Sequence, residues 1–451
     1  MKKAAVISVS PTGQRPTVDP QGLSQQRELT RSRVALITLF ALMGLSFAAW
    51  LARVPTVQVL LDLTTADLGL VFLAGAIGSL VCVTIAGPLV VRFGGRRLLT
   101  IAALAIGVAY FFIGLGPAVG SVGILAAGLA LNGGAVALTN VPQNVESAGL
   151  ERRVGKPIVA HFHAAFSIGA VLGSLIGAAC AHFEVPVLIQ FSVTGLLTVV
   201  VRLLLIPLVV VETAQDQVRL YDRVRTARQR RVHRAEVKAK LVQRSAPRPI
   251  AARVRASRLS LGNALGAWRE PRTLMIGVII FSASMSEGSA NNWLSVAVVE
   301  GFDKLESTGA TVLAVFLASM TLVRLTGAPI ITRLGRVQTL RLSTLISMVG
   351  LLVFALVPSF PLAIAGVVAW GMGAALVVPL TISAASDEPM HAAARVSVVS
   401  AHASIASLVV PPILGFLAAA IGTREALASV CISLVLALVV SRAIAPIKVS
   451  R

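Results

Sequence analysis

Apolar runs of about 20 residues alternate along this chain with short polar turns. A run of that length without charge fits the hydrocarbon core of a bilayer as one helix. The pattern predicts six helices near residues 34–55, 67–91, 98–116, 121–145, 157–181 and 187–211. Six more are predicted near 273–295, 309–331, 340–358, 362–384, 396–420 and 426–446. Residues 1–33 are polar and carry Pro11, Pro16 and Pro20, so they are expected to be a disordered tail. Residues 447–451 form a second short tail. The expected fold is an all-α membrane protein with twelve transmembrane helices, divided into a first bundle over 34–211 and a second over 272–446.

The two bundles read as copies of one unit. Gly87–Arg97 (G-P-L-V-V-R-F-G-G-R-R) is a basic turn between two apolar runs, and a weaker copy stands 241 residues on at Ala328–Arg336 (A-P-I-I-T-R-L-G-R). Overlaying them pairs Val91 with Thr332, Arg92 with Arg333 and Gly94 with Gly335. Trp50-Leu51 and Trp293-Leu294 repeat at nearly the same offset. Arginine-rich turns belong at a membrane surface, so Gly87, Arg92, Gly94 and Arg96, with Arg324, Arg333, Gly335 and Arg336, are expected to form a gate there.

Composition narrows the class. Hydrophobic residues make up 56%, charged ones 13%, and mean hydropathy is +0.85, which excludes a soluble multidomain protein. The net charge of +21 does not point to nucleic acid, because the excess sits in short turns and in one loop. That loop, 212–271, holds fourteen Lys and Arg against three acids between 213 and 258 and is read as a basic linker lying on anionic lipid. A regulatory or partner-binding role is its alternative. Arg92, Arg96, Arg97, Arg152, Arg153, Arg333 and Arg336 share one side, whereas Asp62, Glu184, Glu300, Asp303 and Glu306 share the other. Basic turns mark the cytoplasmic side, which places both termini there. Cys82, Cys180 and Cys431 lie singly in apolar runs, no G-x-x-x-x-G-K-[ST] loop occurs, and no His, Cys and acid cluster has metal-ligand spacing. No cofactor and no enzymatic activity are expected.

The basic turn matches G-x-x-x-D-R-x-G-x-R at Gly87, Arg92, Gly94 and Arg96, with Val91 at the acid position and Thr332 in the second copy. With two six-helix halves and a central loop, the chain resembles the major facilitator superfamily of transporters. Trp50-Leu-Ala-Arg-Val-Pro55, Phe162-His-Ala-Ala-Phe-Ser167, Glu287-Gly-Ser-Ala-Asn-Asn-Trp293 and Pro411-Pro-Ile-Leu-Gly415 resemble a bacterial subgroup of inner-membrane permeases in its fucose-permease-like branch. The resemblance implies a bacterial cytoplasmic-membrane transporter working by alternating access. In that superfamily the missing acid braces the turn, so Arg92 or Arg96 against Glu146 or Glu151 is expected to replace it. Sugar–proton members of the branch carry acids in helices one and four. Here helix one has none and helix four has Glu146 only at its inner end.

Polar residues inside apolar runs are the candidates for chemistry, since a central charge costs roughly 2.5–3.5 kcal/mol on insertion scales. Glu287, mid-run among Ser284, Ser286, Ser289, Asn291 and Asn292, is a candidate proton carrier or partner of a cationic group. Packing by hydrogen bonds is the alternative for it and for every residue that follows. His163 and His402, 239 residues apart, are expected to face each other across a central cavity. Asn132 and Asn140 share a helix face and suit hydroxyl or amide recognition. Trp370 is a candidate for stacking on a ring, whereas Trp50 and Trp293 are read as interface anchors and Arg53 as snorkelling to the surface. Gly169, Gly173 and Gly177 have the spacing for close helix approach. The expected protein is a monomeric secondary transporter of a sugar-like or small organic solute, with a coupling proton as the second partner. Alternatives are an efflux pump for amphiphiles, which calls for a broad greasy cavity, and a transporter-like sensor or scaffold in which the basic loop does the work.

Overall fold

Hydrocarbon offers no water to backbone N–H and C=O groups, so each crossing must satisfy them within its own segment, and helices result. The computed structural model describes residues 20–155, 158–209, 267–387 and 392–446. Its first half holds α1 (Pro20–Leu51), α2 (Val54–Leu60), α3 (Thr65–Phe93), α4 (Gly95–Ala118), α5 (Val122–Val154), α6 (Val159–His182) and α7 (Val187–Leu205). The second half holds α8 (Pro271–Phe302), α9 (Glu306–Thr326), α10 (Ala328–Leu356), α11 (Phe360–Ala374), α12 (Val377–Ala385), α13 (Ala392–Ile421), α14 (Thr423–Ala428) and α15 (Val430–Val439). Eleven helical stretches among the described residues are long and apolar enough to cross a membrane. The twelfth crossing is assembled from α14, α15 and a closing turn at Ser441–Ile444.

Two expectations need correction. Helix α1 begins at Pro20, inside the stretch read as a disordered tail, because Gln, Arg, Glu and Leu there are good helix formers behind an initial proline. The turn read over Gly87–Arg97 shrinks to one residue: α3 runs through Gly87 and Arg92 to Phe93, and α4 resumes at Gly95. The linker expected over 212–271 lies outside the described residues as far as 266, as do 1–19 and 447–451.

Reversal on a single residue needs a left-handed backbone, which glycine adopts without a Cβ clash. Gly94 has φ 81° and Gly335, 241 residues later, has φ 74°. Asp62 and Asp303, at the same offset, both have φ 49°, a conformation that aspartate tolerates better than most side chains. The duplication read from the basic turns is thus present in the backbone. Packing repeats as well. In the first half α1 lies along α6 and α3 along α5; in the second α8 lies along α13 and α9 along α11. The halves meet through α3 with α13 and α6 with α9, pairs that exchange when the repeats are swapped.

The α1–α6 seam is a backbone contact. A methyl on Gly169 would collide with the Ala41 carbonyl, one on Gly173 with the Leu45 carbonyl, and one on Gly44 with the Phe166 carbonyl. Gly169→Ala should gain at most about 1 kcal/mol of helix propensity and lose more to overpacking, for a net loss of roughly 1–3 kcal/mol. Gly288, whose added Cβ would meet nothing within 4 Å, is the control. Thermal unfolding of the detergent-solubilised protein should fall for Gly169→Ala and hold or rise for Gly288→Ala; an unchanged Gly169→Ala would contradict the seam.

Candidate functional site

Where the halves meet, five helices leave a cavity of about 310 Å³. Phe47 and Trp50 come from α1, Phe72 and Ser79 from α3, and Asn132 from α5; Asn291, Asn292 and Trp293 come from α8 and Ser407 from α13. Asn132 and Asn292 were expected at such a site. The tryptophans were not. Trp50 is 5% exposed and Trp293 1%, with Trp293 edge-on to Phe72 across the interface at 5.6 Å, so neither is a membrane anchor. Their shared place in the repeat was the available signal.

On the side that carries Glu300 and Glu306 the two halves are joined by polar contacts. Arg53 is only 3% exposed, which corrects the snorkelling expectation. Its Nη1 donates to Gln190 Oε1 at 2.8 Å and to the Val185 carbonyl at 3.1 Å. Its Nε sits 3.2 Å from Glu306 of the other half, close enough for an ion pair though not aligned for a hydrogen bond. The Thr56 N–H donates to Glu306 at 3.0 Å, and the Thr56 hydroxyl donates to the same carboxylate. Gln58 donates to Glu300 at 2.8 Å, and the Ser174 hydroxyl donates to the Ala310 carbonyl at 2.7 Å. Arg53, Thr56, Gln58 and Ser174 thus each join the first half to the second, so this face is latched.

Glu287 is not a solitary carboxylate: Arg324 Nη2 donates to it at 3.0 Å, each side chain being about a quarter exposed (24% and 28%). Arg324 Nε also donates, at 3.3 Å, to the carbonyl of Ala375 in the break between α11 and α12, where the helix ladder leaves carbonyls short of partners. Arg324 therefore joins three helices instead of bracing only the basic turn. His163 is exposed, stands edge-on to Phe40 at 5.6 Å, and lies within electrostatic reach of Arg324.

Other expected residues lie elsewhere. His402 stacks on Trp268 at 5.5 Å, its Nδ1 2.8 Å from the Val398 carbonyl and its ring over Gly277. It packs within the second half and does not face His163 across the cavity. Trp370 is fully buried, donates to Ser286 Oγ at 2.8 Å and meets Phe316 edge-on at 5.2 Å, which leaves no ring face for a ligand. Asn140 lies outside the cavity; its carbonyl accepts from Asn144 at 2.8 Å.

On the basic face Arg336 reaches Asp387 at 2.5 Å, and Arg272 reaches the same carboxylate at 3.0 Å. Asp387 was missed, although it stands 241 residues after Glu146 and the repeat could have found it. Glu151, expected opposite Arg92 or Arg96, accepts from the backbone N–H groups of Ile158 and Val159 at 2.8 and 2.9 Å and so caps the start of α6. Arg92, Arg96 and Arg333 are exposed, with Arg92 over the Phe93 ring.

Comparison with known proteins adds three findings. The model of the family described as the Major Facilitator Superfamily matches residues 5–149, 151–395 and 276–450. The chain is 28% identical over 386 residues to the transporter y4wD of Sinorhizobium fredii, covering 85% of this chain and 90% of that one. Its fold is similar to the nucleoside transporter NupG (TM-score 0.67, 14% identity, 91% and 98% coverage) and to FucP in the outward conformation (TM-score 0.57, 14% identity, 92% and 99% coverage).

The latch is testable by itself. Breaking a pair this buried leaves a charge uncompensated, worth about 3 kcal/mol, enough to shift a two-state population by roughly a hundredfold. Spin labels at exposed Val59 and Leu305, one in each half, should report a single short distance in the native protein and a longer second population in Glu306→Ala. One unchanged distance in the variant would show that Glu306 holds nothing.

Proposed function

The chain belongs to the major facilitator superfamily, and we propose that it carries a sugar-like or similarly small polar organic solute across a bacterial cytoplasmic membrane by alternating access. Secondary transport of a small solute is the activity that this family and fold support. One observation carries the finer reading: a cavity shared by both halves, mainly apolar but with Ser and Asn side chains from each half in its lining, and cross-half contacts near it. By the rule for basic turns the latched face would be outside and both termini inside, and in this reading the cavity would be reached from the cytoplasm. Rocking of the halves would break the contacts of Arg53, Thr56, Gln58 and Ser174 and admit solute from outside. A volume of about 310 Å³ suits a small solute, and the three asparagines suit polar groups on it; the mainly apolar remainder of the lining keeps an efflux pump for small amphiphiles as the second reading.

Glu287 is the group through which a coupling proton would act. Its negative charge holds Arg324, and Arg324 in turn holds the α11–α12 break; protonation removes the charge and frees both. Glu287→Gln keeps the size and the hydrogen-bonding capacity of the side chain and cannot titrate. Uptake into vesicles containing this variant should lose its pH dependence while the protein still purifies as a folded monodisperse species. Full pH dependence in Glu287→Gln would remove it from the mechanism.

A further inference from the structure

We infer that a second cleft, at the acidic end of the seam between the halves, holds a phospholipid with an amine headgroup, and that this lipid favours the latched arrangement. Binding stands on the cleft alone; its effect on the latch rests on the transport reading above. The cleft is open and has a volume of about 420 Å³. Its walls come from different halves: Ala179, His182 and Phe183 at the end of α6, and Ser307, Thr308 and Thr311 at the start of α9. It shares no residue with the central cavity.

Position indicates the occupant. Leu172, Leu175 and Ile176, one to two turns before Ala179 on α6, are all exposed, so this strip of the helix faces acyl chains. Ala179 is exposed too, four residues after Leu175, and carries the strip into the cleft. Phe183 is 74% exposed beyond the helix end, and Leu305 across the seam is 73% exposed. Large apolar side chains standing that far out at the end of a membrane helix lie among headgroups and the first chain carbons. The cleft is therefore continuous with the lipid-facing surface, and a lipid can enter it sideways.

Chemistry at that depth suits a phosphate ester. The Ser307 and Thr308 hydroxyls and the His182 ring have no hydrogen-bond partner among the described residues, and His182 stands edge-on to Phe183 at 5.0 Å. Two hydroxyl donors and one ring N–H can serve phosphate oxygens while chain carbons lie on Ala179 and Phe183. Thr311 donates to the Ser307 carbonyl at 2.7 Å, which leaves its lone pairs for an ammonium. Charge narrows the headgroup. Glu184, Asp303 and Glu306 flank the lining residues in sequence, and Lys304, the one lysine or arginine among them, sits over the Phe360 ring at 5.5 Å. A net-anionic lipid meets repulsion here; an ethanolamine headgroup, whose ammonium offsets its phosphate, does not. One turn inward the Ser174 hydroxyl already donates to the Ala310 carbonyl and ties α6 to α9. A lipid touching both walls adds to that tie and is lost when the walls part, so it stabilises the latched arrangement.

Lipid retention by the purified full-length protein tests this. After exchange into lipid-free detergent, the protein is titrated with phosphatidylethanolamine or phosphatidylglycerol, and bound lipid is counted by native mass spectrometry. Phosphatidylethanolamine should bind at least about tenfold more tightly and raise the unfolding temperature. Ala179→Trp, which fills the cleft, and Ser307→Ala with Thr308→Val, which removes the free hydroxyls, should each weaken it by roughly tenfold. Ile432→Trp, on the exposed face of α15 outside the cleft, should bind like the native protein. Two variants from different halves guard against a folding defect in either. Equal retention of the two lipids, or unchanged binding in both cleft variants, overturns the inference, as does equal stabilisation by inorganic phosphate alone. Spin labels at exposed Val59 and Leu356, one in each half, read the effect on the latch. Phosphatidylethanolamine should shrink the longer-distance population of Glu306→Ala, and an unchanged distribution with lipid bound overturns that effect. Lipid binding as expected in a protein that moves no solute would leave the cleft site standing and remove the transport reading.

Discussion

Polar groups in this protein sit where hydrocarbon would leave them without hydrogen bonds, and the architecture follows from how that need is met. Near one face Arg53 is enclosed and answered by Gln190, a backbone carbonyl and Glu306. Deeper in the bundle Glu287 and Arg324 answer each other. At the opposite face Asp387 gathers Arg272 and Arg336. Between these layers lies the cavity, lined from both halves by residues that include Asn132, Asn291 and Asn292. The paired layers hold the helices in place.

In the transport reading proposed above, duplication would give these layers two arrangements. The α3–α13 and α6–α9 contacts are exchanged by the repeat, so the interface is a hinge-like seam between two similar bodies. Inside the first half, glycines bring α1 and α6 into backbone contact, which favours motion of the half as a unit over slippage within it. The contacts that lock the halves on the acidic face involve few side chains. Glu306 alone engages Arg53 and Thr56, so one carboxylate holds much of the closure.

Much of the fold was legible because it rests on signals that survive without a partner in view. Run length gave the crossings, and the offset between basic turns gave the repeat that Gly94 with Gly335 and Asp62 with Asp303 reproduce in their backbone angles. The site was legible only in part. Asn132 and Asn292 announce themselves as amides in apolar runs, whereas Trp50, Trp293 and Arg53 sit near the ends of runs, where the common role is anchoring. In a helix apolar all round, sequence gives depth but not the face turned toward the seam. His163 and His402 show the limit: similar depth in the repeat, yet one stands exposed beside Arg324 and the other stacks on Trp268. Asp387 was overlooked for a different reason, since its partner Arg336 lies 51 residues away in sequence.

The central claim is that a chamber shared by two repeated halves opens to one face of the membrane at a time. Its most direct test is the reactivity of Asn132→Cys, in a background with Cys82, Cys180 and Cys431 replaced by serine, toward a membrane-impermeant thiol reagent applied to each face of oriented vesicles. The account predicts labelling in the solute-free protein from the face that carries Arg92, Arg96 and Arg333, and none from the face that carries Glu300 and Glu306. Labelling from both faces at similar rates, or from the acidic face alone, would contradict it.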